Sequence, residues 1–125
     1  MSKKVVCFDV DGVIAKYDGW KGFDIIGEPI IETIAVIKRL KEVGCYITIF
    51  TTRLDTPVLR KWLKDNNVMY DSINSDSHNP EHTSCKPIYH CMIDDRAIGY
   101  KQQDPDELYN QIVQMIGEVS IQEKE

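Results

Sequence analysis

The sequence predicts an α/β fold, a three-layer Rossmann-like parallel sheet with helices on both faces and no cap domain. Two observations carry this expectation. Short, nearly continuous apolar runs rich in β-branched residues alternate with segments whose apolar residues recur at helical spacing, the pattern of a buried parallel sheet. Polar and acidic residues then cluster where those runs end, which is where ligands meet sheets of this kind.

The elements follow in order. Residues 4–10, Lys-Val-Val-Cys-Phe-Asp-Val, read as a central strand. Residues 12–29 are punctuated by Gly12, Gly19, Gly22, Gly27 and Pro29, with Tyr17, Trp20 and Phe23 between them, and predict a loop or small flap. Ile30, Ile34, Ile37 and Leu40 give a helix, with Gly44 placed to cap its end. Residues 45–51 read as a second strand. Thr56-Pro57 starts a second helix, with Thr56 as cap, proline at the first helical position, and Val58, Leu59, Trp62 and Leu63 facing inward until about Asn66. A short third strand is expected at 70–73, a polar loop at 74–87 and a fourth strand at 88–93. Asp104, Pro105 and Glu107 open the last helix, whose buried stripe is expected to be Leu108, Ile112, Met115, Ile116 and Val119. The chain reads as a single domain over 1–125, with 120–125 a frayed tail.

Composition narrows the function classes. The 125 residues suffice for one ordinary core. A formal net charge of -5 disfavours a nucleic-acid partner, which calls for a basic face, and leaves room for a locally positive pocket. No apolar stretch approaches the ~20 residues that span a bilayer, so no membrane association is expected. The four cysteines, Cys7, Cys45, Cys85 and Cys91, follow no signal-peptide-like start, and Cys7 and Cys45 sit in apolar runs. A reduced, cytoplasmic location is the expectation.

Four segments carry candidate chemistry. Asp9-Val10-Asp11-Gly12 closes the first strand, and two carboxylates two residues apart on a strand share a side. Their repulsion is relieved by a divalent cation such as Mg²⁺, which favours carboxylate oxygens. The same four residues also begin calcium loops, but the glutamate such a loop needs at its twelfth position is Trp20 here. Thr51-Thr52-Arg53 closes the second strand, where a hydroxyl and a backbone N–H are suited to a phosphate oxygen; a helix-capping turn is the plainer alternative. Lys86 precedes the fourth strand and can balance phosphate charge. Asp94-Asp95-Arg96 closes that strand, and buried carboxylates there demand compensation from a metal or from Arg96; a surface turn is the alternative. A separate group, His78, His82, Cys85, His90 and Cys91, has zinc-ligand chemistry but matches no regular finger spacing, and Cys91 is expected to be buried in its strand.

Taken together, Phe8-Asp9-Val10-Asp11-Gly12-Val13, Ile47-Thr48-Ile49-Phe50-Thr51, Lys86 and Met92-Ile93-Asp94-Asp95 match, in order, four motifs of the haloacid-dehalogenase-like hydrolase superfamily. The chain resembles a small capless phosphatase of that superfamily from residue 4 to about residue 118. The resemblance implies a Mg²⁺-dependent phosphohydrolase working through an aspartyl-phosphate. Asp9 would be the nucleophile and Asp11 the general acid and base. Thr51, Lys86 and, more loosely, Thr52 and Arg53 would hold the phosphate. Metal ligation would fall to Asp9, Asp11, Asp94 and Asp95, with help from the Val10 carbonyl. About 17 residues separate Gly12 from Ile30, too few for a helical cap, so an open site is implied. Capless relatives often take bulky substrates or cover the site by homo-oligomerisation. The expected partner is a small phosphorylated substrate, such as a nucleotide, a sugar phosphate or another phosphomonoester.

The competing readings are a catalytically silent phosphate- or nucleotide-binding protein of the same fold, which the intact Asp9 disfavours, and a receiver-like domain. The latter requires an aspartate at the end of the third strand, where the sequence offers only Asp71 and Asp76.

Overall fold

The computed structural model describes residues 4–74 and 89–118. Lys86, His78, His82, Cys85, Val119 and the expected tail lie outside the described residues. The chain falls into two compact units, one up to Asp94 and one from Asp95 onward.

The first unit holds β1 (Val5–Phe8), α1 (Ile31–Glu42), β2 (Tyr46–Ile49), α2 (Pro57–Asp65), β3 (Ser72–Ile73) and β4 (Cys91–Ile93). The strands form one parallel sheet in the order β3-β2-β1-β4. The layout is a Rossmann-like α/β arrangement, with no cap domain among the described residues. Register pairs Phe8 with Ile49 and Ile93, and Ile49 with Ile73. These residues therefore share one face. The steps from β1 to β2 to β3 run in one direction, so right-handed crossovers place α1 and α2 on the same face. The core agrees: Phe8, Ile47, Ile49 and Ile73 of the sheet cluster with Ile37 of α1 and with Leu59 and Leu63 of α2. Full burial of each such side chain contributes about 1.5–3 kcal/mol.

The helix ends are set by local chemistry. At the end of α1 the Gly44 N–H donates to the Lys41 carbonyl and the Cys45 N–H to the Leu40 carbonyl, both at 3.0 Å. Gly44 takes φ +92, the left-handed value that makes this pair of bonds possible without a Cβ penalty. Thr56 caps α2, its hydroxyl accepting the Leu59 N–H at 3.2 Å, with Pro57 at the first helical position. Arg60 grips Asp55 at 2.7 and 2.8 Å beside this cap, and that hydrogen bonding holds the Asp55 carboxyl below its ordinary range. Thr56→Ala is expected to cost about 1 kcal/mol and lower the melting temperature by roughly 4 °C in a thermal melt. An unchanged melt would mean the cap contributes nothing.

Strands are shorter than the sequence suggests. The first ends at Phe8, because beyond it the chain curls on the Val10 carbonyl, which accepts the N–H groups of Val13, Ile14 and Ala15 at 3.1, 2.9 and 3.0 Å. Residues 12–29 are accordingly more ordered than a plain loop. The Lys16 N–H donates to the Glu28 carbonyl at 2.8 Å and the Ile30 N–H to the Ile14 carbonyl at 2.7 Å. These bonds form a neck below a flap of residues 17–27. Gly27 sits in the neck, where a Cβ would lie 1.9 Å from the Lys16 carbonyl oxygen.

In the second unit, α3 (Pro105–Glu118) begins as expected. The Asp104 carboxylate accepts the Asp106 N–H at 3.0 Å and its carbonyl accepts the Leu108 N–H at 2.9 Å. Gln103 ties the preceding segment together, donating to Gly99 and Gln111 and accepting from the Lys101 N–H. Of the expected stripe, Leu108 and Met115 are half-buried, and Ile112 and Ile116 are exposed. No helix among the described residues is long and apolar enough to cross a membrane.

Candidate functional site

The sheet order fixes where a ligand would meet this fold. From β1 the chain steps to β2 and β3 on one side, and β4 lies on the other. The order therefore reverses at β1, and the crevice outside the carboxyl ends of β1 and β4 is the switch point at which such sheets bind ligands.

Asp9 and Asp94 stand at that point, one residue past the ends of β1 and β4. The Asp9 N–H donates to the Ile93 carbonyl at 3.1 Å, which continues the ladder and holds the two strand ends together. One carboxylate oxygen each from Asp9, Asp94 and the next residue in the chain, Asp95, lie within 4.8 Å of one another. Asp9 also turns an oxygen back to the Val10 N–H at 2.7 Å, which limits its rotation. Three carboxylates this close are a hard, anionic oxygen donor set, the set that suits Mg²⁺.

Asp11 does not join this group. With the strand ending at Phe8, Asp9 and Asp11 no longer share a strand face. Both carboxylate oxygens of Asp11 accept from Arg53, at 2.9 and 3.1 Å, and the pair is largely buried. The Val10 carbonyl is likewise committed elsewhere, since three N–H groups converge on an atom with two lone pairs. Asp11 thus stands outside the cluster of Asp9, Asp94 and Asp95.

The end of β2 supplies the neighbouring wall. Thr51 is nearly buried, and its hydroxyl oxygen accepts the Arg53 N–H at 3.1 Å. That leaves the hydroxyl proton to donate to a phosphate oxygen. The Thr51 N–H is taken by the Asn74 side-chain carbonyl at 2.8 Å. The Asn74 amide closes the circle by donating to the Arg53 carbonyl at 2.8 Å. Thr52 is exposed. Arg53 is 3% exposed and directed at Asp11 and the flap rather than outward.

Asn74 was missed by sequence reasoning, which placed it in the polar loop. Its left-handed backbone, φ 56, marks a residue type that tolerates such geometry, and its position directly after β3 was the available signal. Arg53 was noted as a loose phosphate contact, and the structure bonds its side chain to Asp11 and to flap carbonyls. Of the zinc-type group, His90 and Cys91 are described. His90 Nδ1 accepts the Val5 N–H at 3.0 Å, which binds it to the edge of β1. Cys91 is exposed rather than buried. Among the described residues, Cys7, Cys45 and Cys91 are not disulfide-bonded.

Two solved structures share the fold. One is a conserved protein from Bacteroides thetaiotaomicron, 21% identical, with a TM-score of 0.63 over 90% of this chain and 92% of that one. The other is a structural-genomics target from Vibrio cholerae, 20% identical, with a TM-score of 0.51 over 89% of this chain and 98% of that one. At these identities the likeness is one of fold. No family model and no curated protein matches the chain.

Proposed function

We propose that the chain is a Mg²⁺-dependent phosphomonoesterase that works through an aspartyl-phosphate on Asp9, in the manner of capless haloacid-dehalogenase-like hydrolases. The observation that carries the reading is the meeting of Asp9 with Asp94 and Asp95 at the switch point of a parallel sheet. The acidic residues of the first and fourth motifs thus come together from positions far apart in the sequence, and an isolated acidic turn would not require that.

In this reading a carboxylate oxygen of Asp9 attacks phosphorus in line with the departing oxygen. An Asp9 acyl-phosphate forms as the phosphorus–oxygen bond to the leaving group breaks. Asp11, entering the cycle protonated, gives its proton to the departing oxygen and, as the carboxylate, then takes one from the water that hydrolyses the intermediate. Each Asp11 oxygen keeps a second lone pair beyond its bond to Arg53, so the carboxyl can do this without leaving the guanidinium. The Thr51 hydroxyl donates to a phosphoryl oxygen. Asp9, Asp94 and Asp95 would hold Mg²⁺, which neutralises charge on the transferring group when bound. Lys86 would add a second positive charge from the preceding segment. The substrate is a phosphomonoester, and the reduced cytoplasm is the compartment the reading fits.

The test is hydrolysis of an aryl phosphate with Mg²⁺ and with excess EDTA. Turnover is expected with Mg²⁺ and is expected to fall to background with EDTA, a loss of at least about a thousandfold given how much transition-state charge the metal neutralises. Equal rates in the two conditions would exclude the metal, and no turnover across aryl phosphates, nucleotides and sugar phosphates would leave a binding protein.

A further inference from the structure

The least exposed cation described in the first unit is Arg53, and its surroundings are built in detail. Each of its five N–H groups has an acceptor. Nε and one N–H of Nη2 grip the two oxygens of Asp11 at 2.9 and 3.1 Å. The other N–H of Nη2 donates to the Ile25 carbonyl at 2.9 Å. Nη1 donates to the carbonyls of Gly22 and Phe23 at 3.3 and 3.2 Å. The guanidinium carbon lies 4.9 Å from the centre of the Trp20 ring, within cation–π range. Trp20 in turn meets Phe23 edge to face, with ring centres 4.9 Å apart. The backbone of Arg53 is fixed just as firmly, its N–H by Thr51 and its carbonyl by Asn74.

We propose that Arg53 is the positioning residue for Asp11 and couples the seating of the flap to the orientation of that carboxylate. A planar guanidinium holds a carboxylate in one plane through two parallel bonds, which a lysine cannot do. Here the same rigid group also holds three flap carbonyls and one flap ring. The flap cannot lift without removing three acceptors from Arg53, and Asp11 cannot turn without removing two more. Both sets of bonds end on one guanidinium, so a shift of that group moves both partners. With every donor committed, Arg53 has no N–H directed at a substrate phosphate.

This inference rests on the phosphohydrolase reading for its kinetic part alone. The chain has two tryptophans, Trp20 and Trp62, so a Trp62→Phe background leaves Trp20 as the reporter of the flap. Arg53→Lys is expected to lower kcat on the aryl phosphate by about 10–100-fold, the range expected from misorienting a reacting group, with KM changed less than about threefold. A rise in KM with kcat unchanged would assign Arg53 to substrate binding and overturn the proposal. The second arm needs no turnover. Asp11→Asn, which keeps the shape of the side chain and removes the charge that grips Arg53, is expected to shift Trp20 emission to the red and to raise its quenching by acrylamide. Arg53→Lys should do the same. Unchanged Trp20 emission and quenching in Asp11→Asn overturns the coupling whether or not the protein is an enzyme. An inactive wild type whose Trp20 responds to Asp11→Asn overturns the phosphatase reading and supports the clasp.

Discussion

Asp9→Asn is expected to abolish hydrolysis of an aryl phosphate, lowering kcat by about 10⁴-fold or more, the scale on which removal of a covalent nucleophile acts. An amide oxygen is a poor nucleophile toward phosphorus and contributes no charge to a cation. The fold is expected to survive. The asparagine carbonyl oxygen can still accept the Val10 N–H that Asp9 holds at 2.7 Å, and the ladder bond from residue 9 to the Ile93 carbonyl is main-chain to main-chain. The measurement is a steady-state assay beside a thermal melt with and without Mg²⁺. Loss of activity with a wild-type melt supports the nucleophile assignment, and retained activity overturns it.

Gly27→Ala is expected to produce the largest loss of stability of any single methyl addition described here, about 3 kcal/mol and roughly 10 °C in melting temperature. The added carbon would stand 1.9 Å from the Lys16 carbonyl oxygen and 3.0 Å from its carbonyl carbon. Both atoms are main chain, so no rotamer change relieves the clash. The neck must open, and with it go the bond from Lys16 to Glu28 and the path of the flap that supplies Arg53 with its carbonyl partners. Gly99→Ala is the control, since nothing lies within 4 Å of a Cβ there. If Gly27→Ala melts within about 2 °C of wild type, by the same conversion of stability to temperature, the neck is looser than its hydrogen bonds imply.

What could be read from the sequence divides along a physical line. Local chemistry was legible. Thr56-Pro57 named the start of α2, Gly44 the end of α1 and Asp104-Pro105 the start of α3, because each depends on residues within one turn. Strand existence and parallel order followed from the apolar runs. Strand ends did not, because nothing in Asp9-Val10-Asp11 announces that the Val10 carbonyl will gather three N–H groups and end β1 early. The site was half legible for the same reason. Asp9 and Asp94 were placed by strand ends, and the sheet brings them together. The partners of Asp11 and Thr51 were not, since Arg53 bonds across 42 residues and Asn74 across 23. Such choices depend on which donor the fold delivers and not on what stands nearby in the chain.

The position of β4 beside β1 also sets an order of assembly. The Val5 N–H reaches His90 across 85 residues, and the register that follows is what delivers Asp94 to Asp9. During synthesis Asp9 emerges long before Asp94 and Asp95. Pairings of such long sequence separation form late, because the closing segment must be ordered before any contact rewards it. A growing polypeptide therefore has β1, β2 and β3 available to pair while the donor set at their ends is still incomplete. Nascent chains released short of residue 94 should retain helical signal and bind no divalent ion.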